Sequence, residues 1–149
     1  MGLAVVLIFL PIIIGTKLLS DTIAFRMLLK KKMVRAVPEL EQPKNKEDAF
    51  RMLKSLQGRK HVVITSVCIM HKDKIDTFLS KSYVTFYKMS NDEINEYIET
   101  NEPMDKAGAY AIQGKAAKYI RSINGDYYTI VGLPIGKVIK SLKKLKALS

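Results

Sequence analysis

The spacing of apolar residues changes several times along this chain, and each change marks an element. From Leu3 to Ile14 the residues are almost all apolar, interrupted by Pro11 and followed by Gly15. Such a run predicts a buried strand or strand pair, with Ile12-Ile13-Ile14 leading into the glycine. Its twelve residues fall short of the ~18–20 that span a bilayer. No basic residue precedes the run and no small-x-small site follows it, so a secretory signal is a poor fit. A membrane-associated segment, or an end that does not fold as written, stays open beside the strand. After Ser20-Asp21-Thr22-Ile23 come the basic cluster Lys30-Lys31-Lys32 and Arg35, then an irregular connection containing Pro38 and Pro43.

Regular spacing begins at Asn45. It can cap a helix whose first turn holds Glu47 and Asp48, with Ala49, Phe50, Leu53 and Leu56 on one face and Gly58 as the stop. His61 to Met70 is rich in β-branched residues and predicts a strand; Asp73 marks a turn, and Ile75 to Tyr87 supplies the return. Ser90 and Glu93 have capping-box spacing at the start of a helix over 90–100 that buries Ile94, Tyr97 and Ile98. Further on, Ala116–Ile123 and Asp126–Val131 flank Asn124-Gly125, which predicts a hairpin. Gly132-Leu133-Pro134 leads into a last helix with the apolar face Ile135, Val138, Ile139, Leu142 and Leu145. Strands and helices alternate without repeats, so the expected fold is α/β, a mixed sheet with flanking helices.

Composition narrows the picture. The chain has 149 residues, 48% hydrophobic and 26% charged, which suits one folded domain with a real core. Its net charge of +11 favours anionic partners without choosing among them. The lysines at 137, 140, 143, 144 and 146 have no interleaved arginine or aromatic residue, so they read as a solvated helix face more readily than as a nucleic-acid patch. Cys68 is the single cysteine, which excludes an internal disulfide and points to a core thiol in a reducing compartment. Neither GxxxxGK[ST] nor GxGxxG occurs. His61 and His71 have no cysteine or carboxylate set at zinc-ligand spacing. Tyr127 and Tyr128 could stack on a base or simply alternate on a half-buried hairpin.

Between the two periodic regions lies Glu102-Pro103-Met104-Asp105-Lys106-Ala107-Gly108-Ala109-Tyr110-Ala111-Ile112-Gln113-Gly114, which has neither period. Gly108 and Gly114 allow positive φ or close approach of the backbone to a ligand. Asp105 can orient a cation or water, Lys106 can meet an anion, and Gln113 offers a donor and an acceptor. The set suits a phosphorylated ligand with a planar base; the other reading is a surface connection whose glycines only turn. Asp21 follows the long apolar run, where α/β sheets place ligands, and could bind a divalent metal or take a proton from water. It could equally be a turn residue or a helix cap.

Taken together, QPKNKEDAFRMLKSLQGRKHVVITSV, YKMSNDEINEYIETNEPMDKAGAYAIQG and INGDYYTIVGLPIGKVIKSL closely resemble the Maf (septum formation) family of nucleoside triphosphate pyrophosphatases. DKAGAYAIQG followed by GDYYTIVGLP is similar to the branch acting on dTTP and UTP. The resemblance implies a Maf/inosine-triphosphatase-like domain over residues 44–149, after an atypical segment 1–43. It implies hydrolysis to a nucleoside monophosphate and pyrophosphate with a divalent cation, Mg²⁺ or Mn²⁺. Asp21 would match the aspartate of the family's ADT motif as the base, with Thr22 and Gln113 selecting the nucleobase and Lys106 and Asp105 beside substrate or metal. The implied partner is the nucleoside triphosphate, with no nucleic acid and no membrane, and room for a homodimer. Members begin with an SxSPRR phosphate-binding segment that this chain lacks, and Gln42 stands before Pro43 where they carry lysine. The expectation is therefore a fold lacking its N-terminal part. The rival readings are a nucleotide-binding relative impaired in turnover, and a basic protein held on a membrane surface by its first fourteen residues and its lysines.

Overall fold

The computed structural model describes the backbone of Val5–Ile14 and Glu39–Leu40, and residues 42–148. Asp21 and Thr22 lie outside the described residues. Val5–Ile14 forms one strand, β1, and Glu39–Leu40 the short β2. The elements that follow are α1 (Lys46–Leu56), β3 (Lys60–His71), β4 (Lys74–Phe86), α2 (Asn91–Glu99), β5 (Ile120–Asn124), α3 (Tyr127–Val131) and α4 (Ile135–Lys144). Three 3₁₀ turns, Glu102–Asp105, Ala107–Ala109 and Lys115–Tyr119, fill the interval between α2 and β5.

The sheet runs β2-β1-β3-β4-β5. β1 is parallel to both β2 and β3, whereas β3–β4 and β4–β5 are antiparallel. The sheet is mixed, as the alternation of elements predicts. β3 is buried at every position from His61 to Met70, because it lies between β1 and β4 and has apolar contacts on both faces. One face carries Val63, Val67 and Ile69; the other carries Val62 and Ile64 against Tyr83. Cys68 is a free, buried thiol on β3, and burial raises its pKa.

The helices follow from their caps and stripes. Asn45 accepts from the Asp48 amide at 2.8 Å, and α1 buries Ala49, Leu53 and Leu56. Ser90 and Glu93 form the reciprocal capping box, and α2 buries Ile94, Tyr97 and Ile98. These side chains join Val63, Val84, Phe86, Tyr110 and Ile130 in the main core cluster. Val138 of α4 and Leu145, which caps its end, pack on Val67 and Ile69. Asp76 of β4 fastens the same helix, accepting from Ser141 Oγ at 2.6 Å and Lys144 Nζ at 2.7 Å. Ile135 and Ile139, expected on the buried face, are instead exposed.

The predicted hairpin at Asn124-Gly125 is not formed. Residues 115–119 make a 3₁₀ turn, β5 ends at Asn124, and the chain after Gly125 is helical. Asp126 caps α3 by accepting from the Tyr128 amide at 3.1 Å. Thr129 then docks α3 on the sheet: its carbonyl accepts from Thr65 Oγ1 at 2.6 Å, and its hydroxyl meets Ser80 Oγ at 2.7 Å. Gly125, at φ 118, passes so close to β4 that a Cβ would lie 2.6 Å from Ser82 Oγ. A β-prone run, YYTIV, is thus helical because buried hydroxyls on the sheet need its partners.

Candidate functional site

The loop 102–115 is placed by the elements on either side of it. α2 ends at Glu99, and Asn101 takes φ 59 to turn the chain into the first 3₁₀ turn, whose Pro103 is buried. Gly108 and Ala109 both have positive φ, at 73° and 61°. The conformation is free for glycine and costs an alanine roughly 1 kcal/mol or more, so the surroundings must impose it. Ala109 is fully buried in the main core, which supplies that constraint.

This path brings Asp105, Lys106, Ala107, Tyr110, Ala111, Ile112 and Gln113 around a cavity of about 210 Å³, whose lining Val63, Ile130 and Val131 complete. Three of the residues singled out in the sequence, Asp105, Lys106 and Gln113, therefore line one pocket. Lys106 Nζ pairs with Asp105 Oδ2 at 2.9 Å, and the ammonium holds the Asp105 carboxyl below the usual carboxylate range. Gln42 donates to the Asp105 carbonyl at 2.9 Å, tying the segment before Pro43 to the same loop. Gln113 is exposed and keeps its amide available to a ligand. A cation, an anion and an amide at an apolar-walled cavity can bind an anionic group and orient a planar polar one.

Beneath the loop, His61 Nε2 lies 2.8 Å from Tyr110 Oη, both side chains being buried. Phe86 completes the aromatic group, stacked edge-on with Tyr110 at 5.0 Å. Burial lowers the His61 pKa to about 4, so the ring is neutral, and burial raises that of Tyr110. His61 is thus a core partner of the loop's tyrosine. The sequence carried Tyr110 within the candidate loop but gave no sign of a partner 49 residues earlier. Val63, Ile130 and Val131 were likewise legible only as apolar positions. Tyr127 and Tyr128, considered as base-stacking residues, sit partly exposed on α3 and do not line the pocket.

The fold is thus a mixed α/β sheet that carries a glycine-bearing loop over a pocket lined by charged, amide and apolar groups. A family model described as "Maf-like protein" matches residues 12–145, and the chain belongs to that family. It is 50% identical over 105 residues to a protein of Bacillus velezensis named dTTP/UTP pyrophosphatase, covering 70% of this chain and 56% of that protein. A protein of Acholeplasma laidlawii with the same name is 52% identical over 104 residues, covering 70% and 55%. The chain spans about half the length of the curated relatives it matches.

Proposed function

We propose that this chain belongs to a nucleoside triphosphate pyrophosphatase that hydrolyses dTTP or UTP to the nucleoside monophosphate and pyrophosphate. The observation that carries the reading is the convergence of Asp105, Lys106 and Gln113 on one pocket, in a chain similar to proteins named dTTP/UTP pyrophosphatase. At about 210 Å³ the cavity is below the ~300 Å³ of a typical complete ligand site. It takes part of the nucleotide, with the remainder outside it.

In this reading the Lys106 ammonium meets phosphate oxygens and offsets charge that grows as the leaving pyrophosphate separates. Gln113 and Thr22 read the polar edge of the pyrimidine, which presents both donors and acceptors. Asp21 accepts a proton from water as its oxygen bonds to the α phosphorus; the bond from that phosphorus to the bridging oxygen breaks, and pyrophosphate leaves. Among the described residues no group of three His, Cys, Asp or Glu side chains is set to hold a metal. Mg²⁺, however, needs only one or two carboxylates together with substrate phosphates. Asp105 at the pocket would hold Mg²⁺ or Mn²⁺ together with substrate phosphates, and the ion would supply further neutralisation of phosphate charge when bound.

A cytoplasmic setting and a homodimer belong to the same proposal; the free thiol of Cys68 agrees with the first. Among the described residues no helix is long and apolar enough to cross a membrane. Pyrophosphate release from dTTP and UTP, with Mg²⁺, tests the reading. Asp21→Asn is expected to lower turnover by about 10²–10⁴-fold, the range for a general base, and Lys106→Ala to weaken dTTP binding. Full turnover in Asp21→Asn would overturn the base assignment. Binding of dTTP without turnover would support the nucleotide-binding relative instead, and no binding would refute the proposal.

A further inference from the structure

The loop that carries Asp105, Lys106 and Gln113 is joined to itself by a carboxylate that does not line the pocket. Glu102 Oε1 accepts from Tyr97 Oη at 2.8 Å, and Glu102 Oε2 accepts from the Lys115 amide at 2.9 Å. The Tyr97 hydroxyl in turn accepts from the Ala111 amide at 3.4 Å. One carboxylate and one phenol therefore connect the start, middle and end of the loop. Tyr97 is anchored independently, being 2% exposed on α2 within the main core and edge-on to Tyr119 at 6.2 Å. Burial pushes the Glu102 carboxyl up, but the bonds from Lys115 and Tyr97 outweigh it and leave the pKa below the usual carboxylate range.

Gly114 fits the same arrangement. Its φ of −100° is open to any residue, yet a Cβ there would lie 2.6 Å from Glu102 Oε2 and closer still to Oε1. A side chain at 114 would displace the Glu102 carboxylate, the mobile end of its side chain, from both of its partners, so glycine keeps the clasp closed. Without the clasp, Asp105 and Gln113 are separated by a run with two consecutive positive-φ residues and little regular backbone pairing to fix their spacing.

We propose that Glu102, acting through Tyr97 and the Lys115 amide, is the positioning residue that presents Lys106 and Gln113 together to the ligand. The ligand named here is the pyrimidine nucleotide, so this clause rests on the function proposed above; the clasp itself does not. Breaking a hydrogen bond to a charged group is expected to change local opening by about tenfold or more.

The experiment compares Glu102→Gln, Tyr97→Phe and Gly114→Ala with the wild type by amide hydrogen exchange without nucleotide and by dTTP titration. The expected result is faster exchange at Ala111 and Lys115, unchanged exchange in β3 and β4, and a dissociation constant for dTTP raised about tenfold or more. Loop exchange equal to wild type in Glu102→Gln and Tyr97→Phe would overturn the clasp. If Glu102→Gln loses protection in β3 and β4 as well, Tyr97→Phe, which removes one hydroxyl, decides by the same criterion. Faster loop exchange with an unchanged dTTP constant would reduce Glu102 to a purely structural role and overturn the positioning claim. A wild-type chain that binds no dTTP refutes the nucleotide reading and with it the ligand clause, while the exchange comparison still decides the clasp.

Discussion

The β3–β4 hairpin and the loop from Glu102 to Lys115 share the lining of one cavity but are held by opposite means. The hairpin pairs Lys60–His71 with Lys74–Thr85 in unbroken antiparallel register, so its shape is carried by a ladder to which every residue contributes. The loop owes its shape to a few side chains reaching across sequence: Glu102 to Lys115, Tyr97 to Ala111, His61 to Tyr110. A ladder spreads its stabilisation over many backbone groups. A clasp concentrates it, and one substitution can release ligand groups without unfolding the sheet.

The largest test attacks what the two regions share. Leu53 is fully buried in the cluster that contains both Val63 of the hairpin and Tyr110 of the loop. Leu53→Ala is expected to cost about 2–5 kcal/mol of global stability and to loosen both regions together in denaturant unfolding. Selective loss of the loop alone would show that the core does not couple them.

The next test acts on a hydrogen bond between them, that of His61 with Tyr110. His61, on β3, is neutral in the fold because burial lowers its pKa from 6.5 to about 4. In the unfolded chain it protonates near 6.5, so between these values the unfolded state binds more protons. Stability is therefore full above pH 6.5 and falls as pH drops toward 4, by about 3 kcal/mol in all. His61→Phe should flatten this part of the pH profile in denaturant midpoints; an unaltered slope would assign the dependence to other groups.

The smallest effect belongs to a site outside both regions. Ser90 accepts from the Glu93 amide at 3.2 Å at the start of α2. Ser90→Ala is expected to cost about 1 kcal/mol with no change in the dTTP affinity proposed for the loop. A marked loss of affinity would mean that the helix start, as well as Tyr97, sets the loop.

Local chemistry made much of this chain legible. The caps at Asn45 and Ser90, the stripe of α1 and α2, the β-branched run of β3 and the apolar run of β1 all act within a few residues, and each specifies its element regardless of what lies far away. The candidate loop was legible for a related reason: Asp105, Lys106, Gly108 and Gln113 fit neither period, and residues that do not serve packing are free to serve a ligand. The segment 126–131 departs from its local β propensity because its helix supplies partners to Thr65, Ser80 and Ser82 of the sheet.

The sequence alone determined the order and kind of most elements, the membership of Asp105, Lys106 and Gln113 in one loop, and the family the chain resembles. Tertiary structure alone decided that Val63, Ile130 and Val131 wall the pocket, that His61 supports Tyr110, and that Glu102 closes the loop. The reason is range. Periodicity, capping and turn chemistry act over a few residues, whereas a hydrogen bond between residues 13 or 49 positions apart exists only once folding has brought them together and removed the water that would otherwise satisfy them.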